Sequence, residues 1–476
     1  MILEFVNARV VTSFHRKFTL YKRLTPIWSS RNIINMNNEK STHIRTQQIL
    51  IRKNHEAFRG ASVCTQIVRR IKNATSYVMQ HHPDGKDQML SHRDADKWLK
   101  RNNPELYTKL PSAIAQRSTQ IVGQEWKAFF AALAAFKKTP SAFKARPQKP
   151  RYARKAATVH IGRNGFKFVD GTLYFANGVL PPIKTQFRFS QKWNASVGDT
   201  VALEVRIVPR GNCFIIEIIY NESKIVEAGN FCRLLDQSRK AGIDLGINNL
   251  IALATDQPGV RPVLINGKAL KSINAWYNKR VAKLRSQGKY AHIRAVTNKR
   301  NRRIKDLLHR ASSKVIAYCL ENNIGTLVIG YNKHWKQEVN IGRVNNQKFV
   351  GIPHAILISQ IQYKCQSLGI TTVIQEESYT SKASALDNDF LPVYGEKPKN
   401  VLPLFSGKRI RRGLYQSKHG IINADINGAL NILRKATGEA LGLACKGCVS
   451  NPITMDLLPR KSVVIRRENT AQPMAA

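Results

Sequence analysis

The sequence predicts a multidomain α+β protein: a small β-barrel with a helical module inserted into it, followed by an α/β domain on a mixed five-stranded sheet. Three observations support this. The chain has 476 residues, enough for two or more domains and a sizeable core. Between 157 and 229, short β-forming runs are broken by Gly, Asn or Pro, the pattern of a small barrel. From 242 to 435, apolar runs of strand length alternate with helical periodicity in the order β-β-β-α-β-α-β-α.

Residues 1–40 are aperiodic and read as a loose N-terminal extension, with the domain start near Met36. Residues 41–57 supply the first barrel strand, Ile44–Arg52, whose apolar part is Ile49, Leu50 and Ile51. From Phe58 the period is helical: Val63, Ile67, Val68 and Ile71 share a face, with Arg69, Arg70 and Lys72 opposite. A second helix covers Ser112–Phe136, where Trp126, Phe129, Phe130 and Leu133 recur at helical spacing and are expected in the core. This helical module and a basic, Pro-punctuated linker fill 58–150. The barrel spans 151–235, with strands at Val159–Ile161, Phe166–Val169, Leu173–Ala176, Phe187–Phe189, Val201–Val208 and Phe214–Tyr220.

After a linker at Leu234–Lys240, the α/β domain occupies 236–437. Its strands are Gly242–Asn248, Ile251–Thr255, Pro262–Ile265, Thr326–Gly330 and Thr371–Glu377. Its helices are Lys268–Ser286, His292–Asn322, Ile352–Leu368 and Asp425–Lys435, and in the second of these Ile304, Leu307, Leu308, Ala311, Val315 and Tyr318 form the apolar stripe. That order of elements is the order of an RNase H-like nuclease fold. Residues 438–476 read as a weakly ordered tail.

The formal charge is +47, from 77 basic and 30 acidic residues. So many unpaired cations repel one another in a compact fold, which points to a polyanionic partner, nucleic acid above all. Basic residues interleaved with aromatics in the linker (Lys144, Arg146, Arg151 and Arg154, near Phe143 and Tyr152) suit phosphate contact with base stacking. Arg302, Arg303 and Arg310, mostly off the apolar stripe, and Lys408, Arg409 and Arg411, in a late basic cluster, are further candidates. Seven scattered cysteines argue for a reducing, cytoplasmic setting rather than a disulfide framework. No apolar run approaches membrane-spanning length, and Met1–Val11 lacks the features of a secretory signal.

Against that charge, a few acids stand out. Asp244 lies in the apolar run Gly242-Ile243-Asp244-Leu245-Gly246, where an ionised carboxylate is costly unless paired or bound to a metal. Glu376 and Glu377 end another apolar run, and Asp425 opens a helix in Asn423-Ala424-Asp425-Ile426-Asn427-Gly428. Its helix start favours the ionised form, and Asn423 and Asn427 are placed to orient it. Carboxylates brought together from strand, strand end and helix start suit Mg²⁺, which prefers oxygen ligands and keeps waters that phosphate can displace. Two such ions about 4 Å apart can activate water and stabilise the leaving oxygen of a phosphodiester.

In these motifs the chain resembles the TnpB (OrfB) proteins of insertion sequences, RNA-guided nucleases related to type V CRISPR effectors. Gly242–Gly246 is similar to their first RuvC motif and Asp425-Ile426-Asn427-Gly428-Ala429-Leu430-Asn431-Ile432-Leu433 to the third. Tyr379-Thr380-Ser381-Lys382 matches the run before their zinc ribbon, and Trp126–Phe130, Phe143–Arg146 and Leu308–Arg310 are supporting matches over roughly 110–435. The resemblance implies a wedge barrel, a RuvC-like domain with Asp244, Glu377 and Asp425 as catalytic metal ligands, Mg²⁺ (two ions), a guide RNA and a double-stranded DNA target. Two departures accompany it. The end of the fourth strand, Leu327-Val328-Ile329-Gly330-Tyr331-Asn332, lacks the family's usual acid, so Glu377 or Glu376 replaces it; Glu377 has the family's spacing to Tyr379, and Glu338 is a remoter candidate. Because the fifth strand lies about 10 Å from the first in such a sheet, that glutamate reaches the site only if its strand end bends inward. Ala383–Ile422 contains no cysteine, so 378–422 is expected as a degenerate ribbon without zinc, and the lone pair Cys445 and Cys448 is weak evidence for any metal. A nuclease-inactive guided repressor and a DNA transposase are the alternatives.

Overall fold

The computed structural model describes residues 44–85, 88–193, 195–196, 200–221, 235–332, 351–392, 405–411, 413–440 and 449–458. The expected extension at 1–40, Glu338, and Cys445 with Cys448 lie outside them. The chain divides into two compact units, Met1–Asn230 and Phe231–Ala476.

In the first unit, β1 (Ile44–Ile51) pairs antiparallel with β7 (Cys213–Asn221), as the insertion of a helical module requires. The sheet order is β1-β7-β6-β2, with β6 at Ala202–Arg210 and β2 at Val159–Gly162. A second sheet holds β3 (Phe166–Val169), β4 (Thr172–Phe175) and β5 (Ile183–Lys184). Five of the six expected strands, with β1 and the short β5, form two sheets around one core, and no ladder among the described residues joins them into a closed barrel. Phe187–Phe189 is not a strand: its phenyl rings pack against Phe168, and pairing is confined to a bridge between Phe168 and Gln191.

The inserted module is α1 (Ala57–Gln80), α2 (His92–Asn102), the single turn α3 (Pro104–Tyr107) and α4 (Ser112–Lys138). Polar, basic α2 escaped the sequence reading because only Ala95 and Leu99 are buried in it. Two expectations fail here. Val63 is 50% exposed, since α1 packs through Ala61, Cys64, Val68 and Ile71. Phe130 is 49% exposed, because the buried stretch of α4 ends at Trp126. The linker is pinned to α1: Asn73 Nδ2 donates to Ala153 O (3.1 Å), and Ala153 N donates to Asn73 Oδ1 (2.8 Å).

The second unit centres on a mixed six-stranded sheet, β12-β11-β8-β9-β10-β16. Its strands are β8 (Asp236–Asp244), β9 (Asn249–Thr255), β10 (Val263–Asn266), β11 (Ile324–Gly330), β12 (Thr371–Gln375) and β16 (Ile453–Met455). β8, β9 and β10 form an antiparallel meander; β11 pairs parallel with β8, and β12 parallel with β11. The sixth strand corrects both the five-stranded expectation and the weakly ordered tail. β16 pairs parallel with β10, and Val449, Met455 and Leu457 are buried. The expected linker before the domain is also wrong, because β8 already starts at Asp236.

Helices α5 (Lys268–Ser286) and α6 (Tyr290–Glu321) form a hairpin, and the expected stripe from Ile304 to Tyr318 is buried. α7 (His354–Gln366) packs on α6, and α8 (Ala424–Thr437) lies on the sheet. α8 approaches β8 so closely that a Cβ on Gly242 would collide with the carbonyl oxygen of Ala429. Asn427, expected beside Asp425, is instead fully buried and ties α8 to the preceding segment: its Oδ1 accepts from Ala385 N (2.9 Å) and its Nδ2 donates to Ala383 O (2.8 Å). Between β12 and α8 lies a small antiparallel sheet of β13 (Lys408–Arg411), β14 (Leu414–Ser417) and β15 (Gly420–Asn423).

Candidate active site

Asp244 is the last residue of β8, so its side chain leaves the sheet where the strand ends, not within a longer strand to Asn248 as the sequence suggested. Burial first, then the charge of Asp425, pushes its carboxyl up to about 7, while Arg409 and the Leu245 backbone pull the other way.

Asp425 is in the first turn of α8. Asn423 caps this helix, its Oδ1 accepting from the backbone N–H groups of Asp425 (2.9 Å) and Ile426 (3.3 Å). Asn249, at the start of β9, donates from Nδ2 to Asp425 Oδ2 at 2.8 Å. Arg409 of β13 stands 3.7 Å from Asp425 Oδ1.

Glu377 follows the end of β12 by two residues. Its backbone N–H donates to Asn332 Oδ1 (3.1 Å), which fixes the strand end beside the end of β11. Its carboxyl is pushed up to about 8 by burial, then by Asp244 and Glu376. Glu376 has different surroundings. Lys435 Nζ donates to its Oε2 at 2.5 Å, and Ser378 also bonds it. Burial raises its carboxyl, but these bonds outweigh that and hold it below the ordinary range.

Among the described residues no group of three or more His, Cys, Asp or Glu side chains is already arranged to hold a metal ion. The donor chemistry of Asp244, Glu377 and Asp425 nevertheless fits a hard divalent cation. Two of these carboxyls resist ionisation because they are buried and repel neighbouring acids, the deficit that a nearby dication offsets.

Residues 226–336 match the family model described as OrfB_IS605, probable transposase, and residues 354–432 match the one described as Cas12f1-like, TNB domain. Both matched segments fall almost wholly in the second unit. Among solved structures, a Cas12f1–sgRNA–target DNA complex is similar at 16% identity, covering 83% of this chain and 100% of that one, with a TM-score of 0.32. A CRISPR–Cas12f ternary complex gives 15%, 79%, 80% and 0.30 for the same measures, and an AacC2c1–sgRNA binary complex 10%, 76%, 65% and 0.29. The comparison with curated proteins finds no match.

In the second unit, Arg302 and Arg303 are exposed on α6, whereas Arg310 is paired with Asp306 (2.9 Å). Lys408 and Arg411 are exposed on β13 beside Arg409, whose guanidinium is turned to Asp425. In the first unit Lys144, Arg146, Arg151 and Arg154 are exposed along the linker. Sequence reasoning missed Asn249; the signal was a polar residue opening the buried run of β9. It also left His419 as a plain loop residue, although its Nδ1 lies 2.7 Å from Asp387 Oδ1. No helix among the described residues is long and apolar enough to cross a membrane.

Proposed function

We propose that the protein is an RNA-guided DNA endonuclease that hydrolyses phosphodiester bonds with Mg²⁺ at Asp244, Glu377 and Asp425. The observation that carries this reading is the convergence of three elements. Asp244 ends β8, Asp425 opens the helix that packs on β8, and Glu377 lies over Gly330 at the end of β11, the neighbour of β8. Burial and nearby acids raise the Asp244 and Glu377 carboxyls. The strand order of the large sheet supports a RuvC-type, RNase H-like domain. The two sheets of the first unit, which share one core without closing into a barrel among the described residues, suit a wedge-type module that, with the helical module, holds a guide RNA and engages a double-stranded DNA target. The +47 charge suits that cargo, with sequence read mainly by base pairing.

Bound Mg²⁺ would be held by Asp244, Glu377 and Asp425 and would supply water activation and stabilisation of the leaving oxygen. The protein groups do the positioning. Asn423 and Asn249 fix Asp425 from two sides. Arg409 brings a guanidinium to the acids, where it neutralises charge and can fork onto a phosphate. Exposed cations on β13 and α6 grip the backbone on either side of the cut.

A guided repressor without nuclease activity is the second reading, favoured by Gly330 standing at the end of β11 where the resembled proteins carry their second acid. The test is to purify the protein with its bound RNA and add Mg²⁺ and a duplex matched to that RNA. Cleavage that falls roughly a hundredfold or more in Asp244→Ala supports the nuclease. Tight binding without cuts supports the repressor, and joining of transposon ends supports a transposase.

A further inference from the structure

β11 lies between β12 and β8 in the large sheet. A carboxylate leaving the end of β12 therefore has to cross the end of β11 to approach Asp244. The last residue of β11 is Gly330, in register with Gln375 of β12. A Cβ built at 330 would stand 2.9 Å from Glu377 Oε2, inside van der Waals contact. Glu377 thus lays its carboxylate in the space a side chain at 330 would fill.

The same arrangement recurs on the other side of Asp244. A Cβ at Gly428 would stand 2.7 Å from Asp244 Oδ2 and 3.3 Å from its Cγ. Gly428 is in α8, four positions after Ala424, so the gap lies one turn into the helix that carries Asp425. Helix interiors disfavour glycine by about 1 kcal/mol relative to alanine. A glycine tolerated there needs a local reason, and the neighbouring Asp244 carboxylate provides one. Gly242 differs: what a Cβ would strike there is the Ala429 backbone, so its role is to let helix and strand approach.

We propose that Gly330 and Gly428 are positioning residues: each leaves a notch that seats one carboxylate, Glu377 and Asp244 respectively, so that an acid from the β12 end serves a site centred on β8. This inference rests on the metal-site reading above. At Gly330 an added methyl meets side chains rather than backbone, closest to Cδ1 of the buried Ile432 and then to Glu377 Oε2 at 2.9 Å, so Ile432 must change rotamer and the Glu377 carboxylate must still move. Gly330→Ala should therefore fold, and its effect should fall on where the Glu377 carboxylate sits.

Two measurements decide it. A crystal structure of metal-free Gly330→Ala should show the Glu377 carboxylate displaced by about 1 Å or more relative to the parent. Mn²⁺ titration of the RNA-bound protein should show affinity lowered about tenfold in Gly330→Ala and in Gly428→Ala, with the circular dichroism spectrum retained. Glu377→Asp, which withdraws the carboxylate by one methylene, should weaken Mn²⁺ binding in the parent but restore part of it in Gly330→Ala. An unmoved Glu377 carboxylate, parent-like Mn²⁺ affinity in Gly330→Ala, or loss rather than rescue on adding Glu377→Asp overturns the proposal. If the parent takes up no Mn²⁺, or does so unchanged in Asp244→Asn, the metal-site reading fails and the crystallographic position of the carboxylate alone decides the notch.

Discussion

Lys364 shows what a buried charge does in this protein apart from the acids. It is 9% exposed and donates to His309 O (2.9 Å), Ser312 Oγ (2.7 Å) and Ser313 Oγ (2.8 Å). Burial lowers its ammonium to about 7, with Cys365 pulling weakly the other way. In the unfolded chain the group titrates near its usual value of about 10.4. From pH 7 to 9 the unfolded state therefore binds more protons, so stability rises with pH by up to about 1.4 kcal/mol per unit. Below pH 7 both states carry the charge and the full burial penalty remains. Denaturant unfolding of the parent and of Lys364→Met across pH 6 to 9 checks this: the parent slope should exceed the variant's by up to that amount, since the raised carboxyls of Asp244 and Glu377 add the same falling contribution to both. The acids obey the same logic with a different partner. Asn249→Ala leaves Asp425 Oδ2 without its 2.8 Å donor and should lower Mg²⁺-dependent cleavage about tenfold without unfolding the protein. Asp244 and Asp425 stood out in the sequence, the first as an acid inside an apolar run and the second as an acid opening a helix. Asn249 and Gly330 were not, because their roles depend on neighbours far away in the chain.

At the scale of elements, the small sheet β13-β14-β15 is held by aspartates. Asp387, with 4% of its side chain exposed, accepts from Ser406 Oγ (2.7 Å), Lys418 N (3.1 Å) and His419 Nδ1 (2.7 Å). Burial raises its carboxyl, but the bonds from Ser406, Ser384, His419 and Lys418 together hold it well below the ordinary range. Asp389 Oδ2 accepts from Ser384 N (2.7 Å) and Ser406 N (3.1 Å). These bonds join the segment after Glu377 to the loop before β13 and to the β14–β15 turn. Asp387→Ala should cost about 2 kcal/mol locally, read as faster amide exchange in β14 and β15, while β8 and β11 stay protected. A low carboxyl gives stability that is present at neutral pH and lost as pH falls through its folded value. β9 and β11 were readable because they are apolar runs bounded by polar residues, whereas β8 reads late in the sequence, at Gly242–Asn248, because the first half of Asp236–Asp244 is polar. β16 was not readable, since a three-residue strand has no periodicity and is recognisable only by its pairing with β10. Phe187 and Phe189 misled for the opposite reason: their alternation looks like a strand, but they serve as rings against Phe168.

For the molecule as a whole, the charge of +47 would set how it meets the proposed nucleic-acid cargo. Neutralising many phosphates releases counterions, so nucleic-acid affinity should fall by about a thousandfold between 50 and 200 mM salt. Filter binding of labelled RNA across that range checks it, and a nearly flat salt dependence would remove the phosphate-gripping role given to Lys144, Arg146 and Arg302. Composition alone makes a polyanion partner the expectation, while the cations that would contact it depend on exposure. Arg310 is paired within its own helix, and Arg409 faces an acid. The division of labour between Glu376 and Glu377 is where sequence, fold and chemistry meet, because the residues are adjacent in the chain yet one bonds Lys435 and the other faces Asp244. The most direct measurement is Mg²⁺-dependent cleavage of a guide-matched duplex by the RNA-bound parent, Glu376→Gln and Glu377→Gln. Glu377→Gln should lose roughly a hundredfold or more in rate and Glu376→Gln only a few-fold; undiminished cleavage by Glu377→Gln would contradict the assignment of the site.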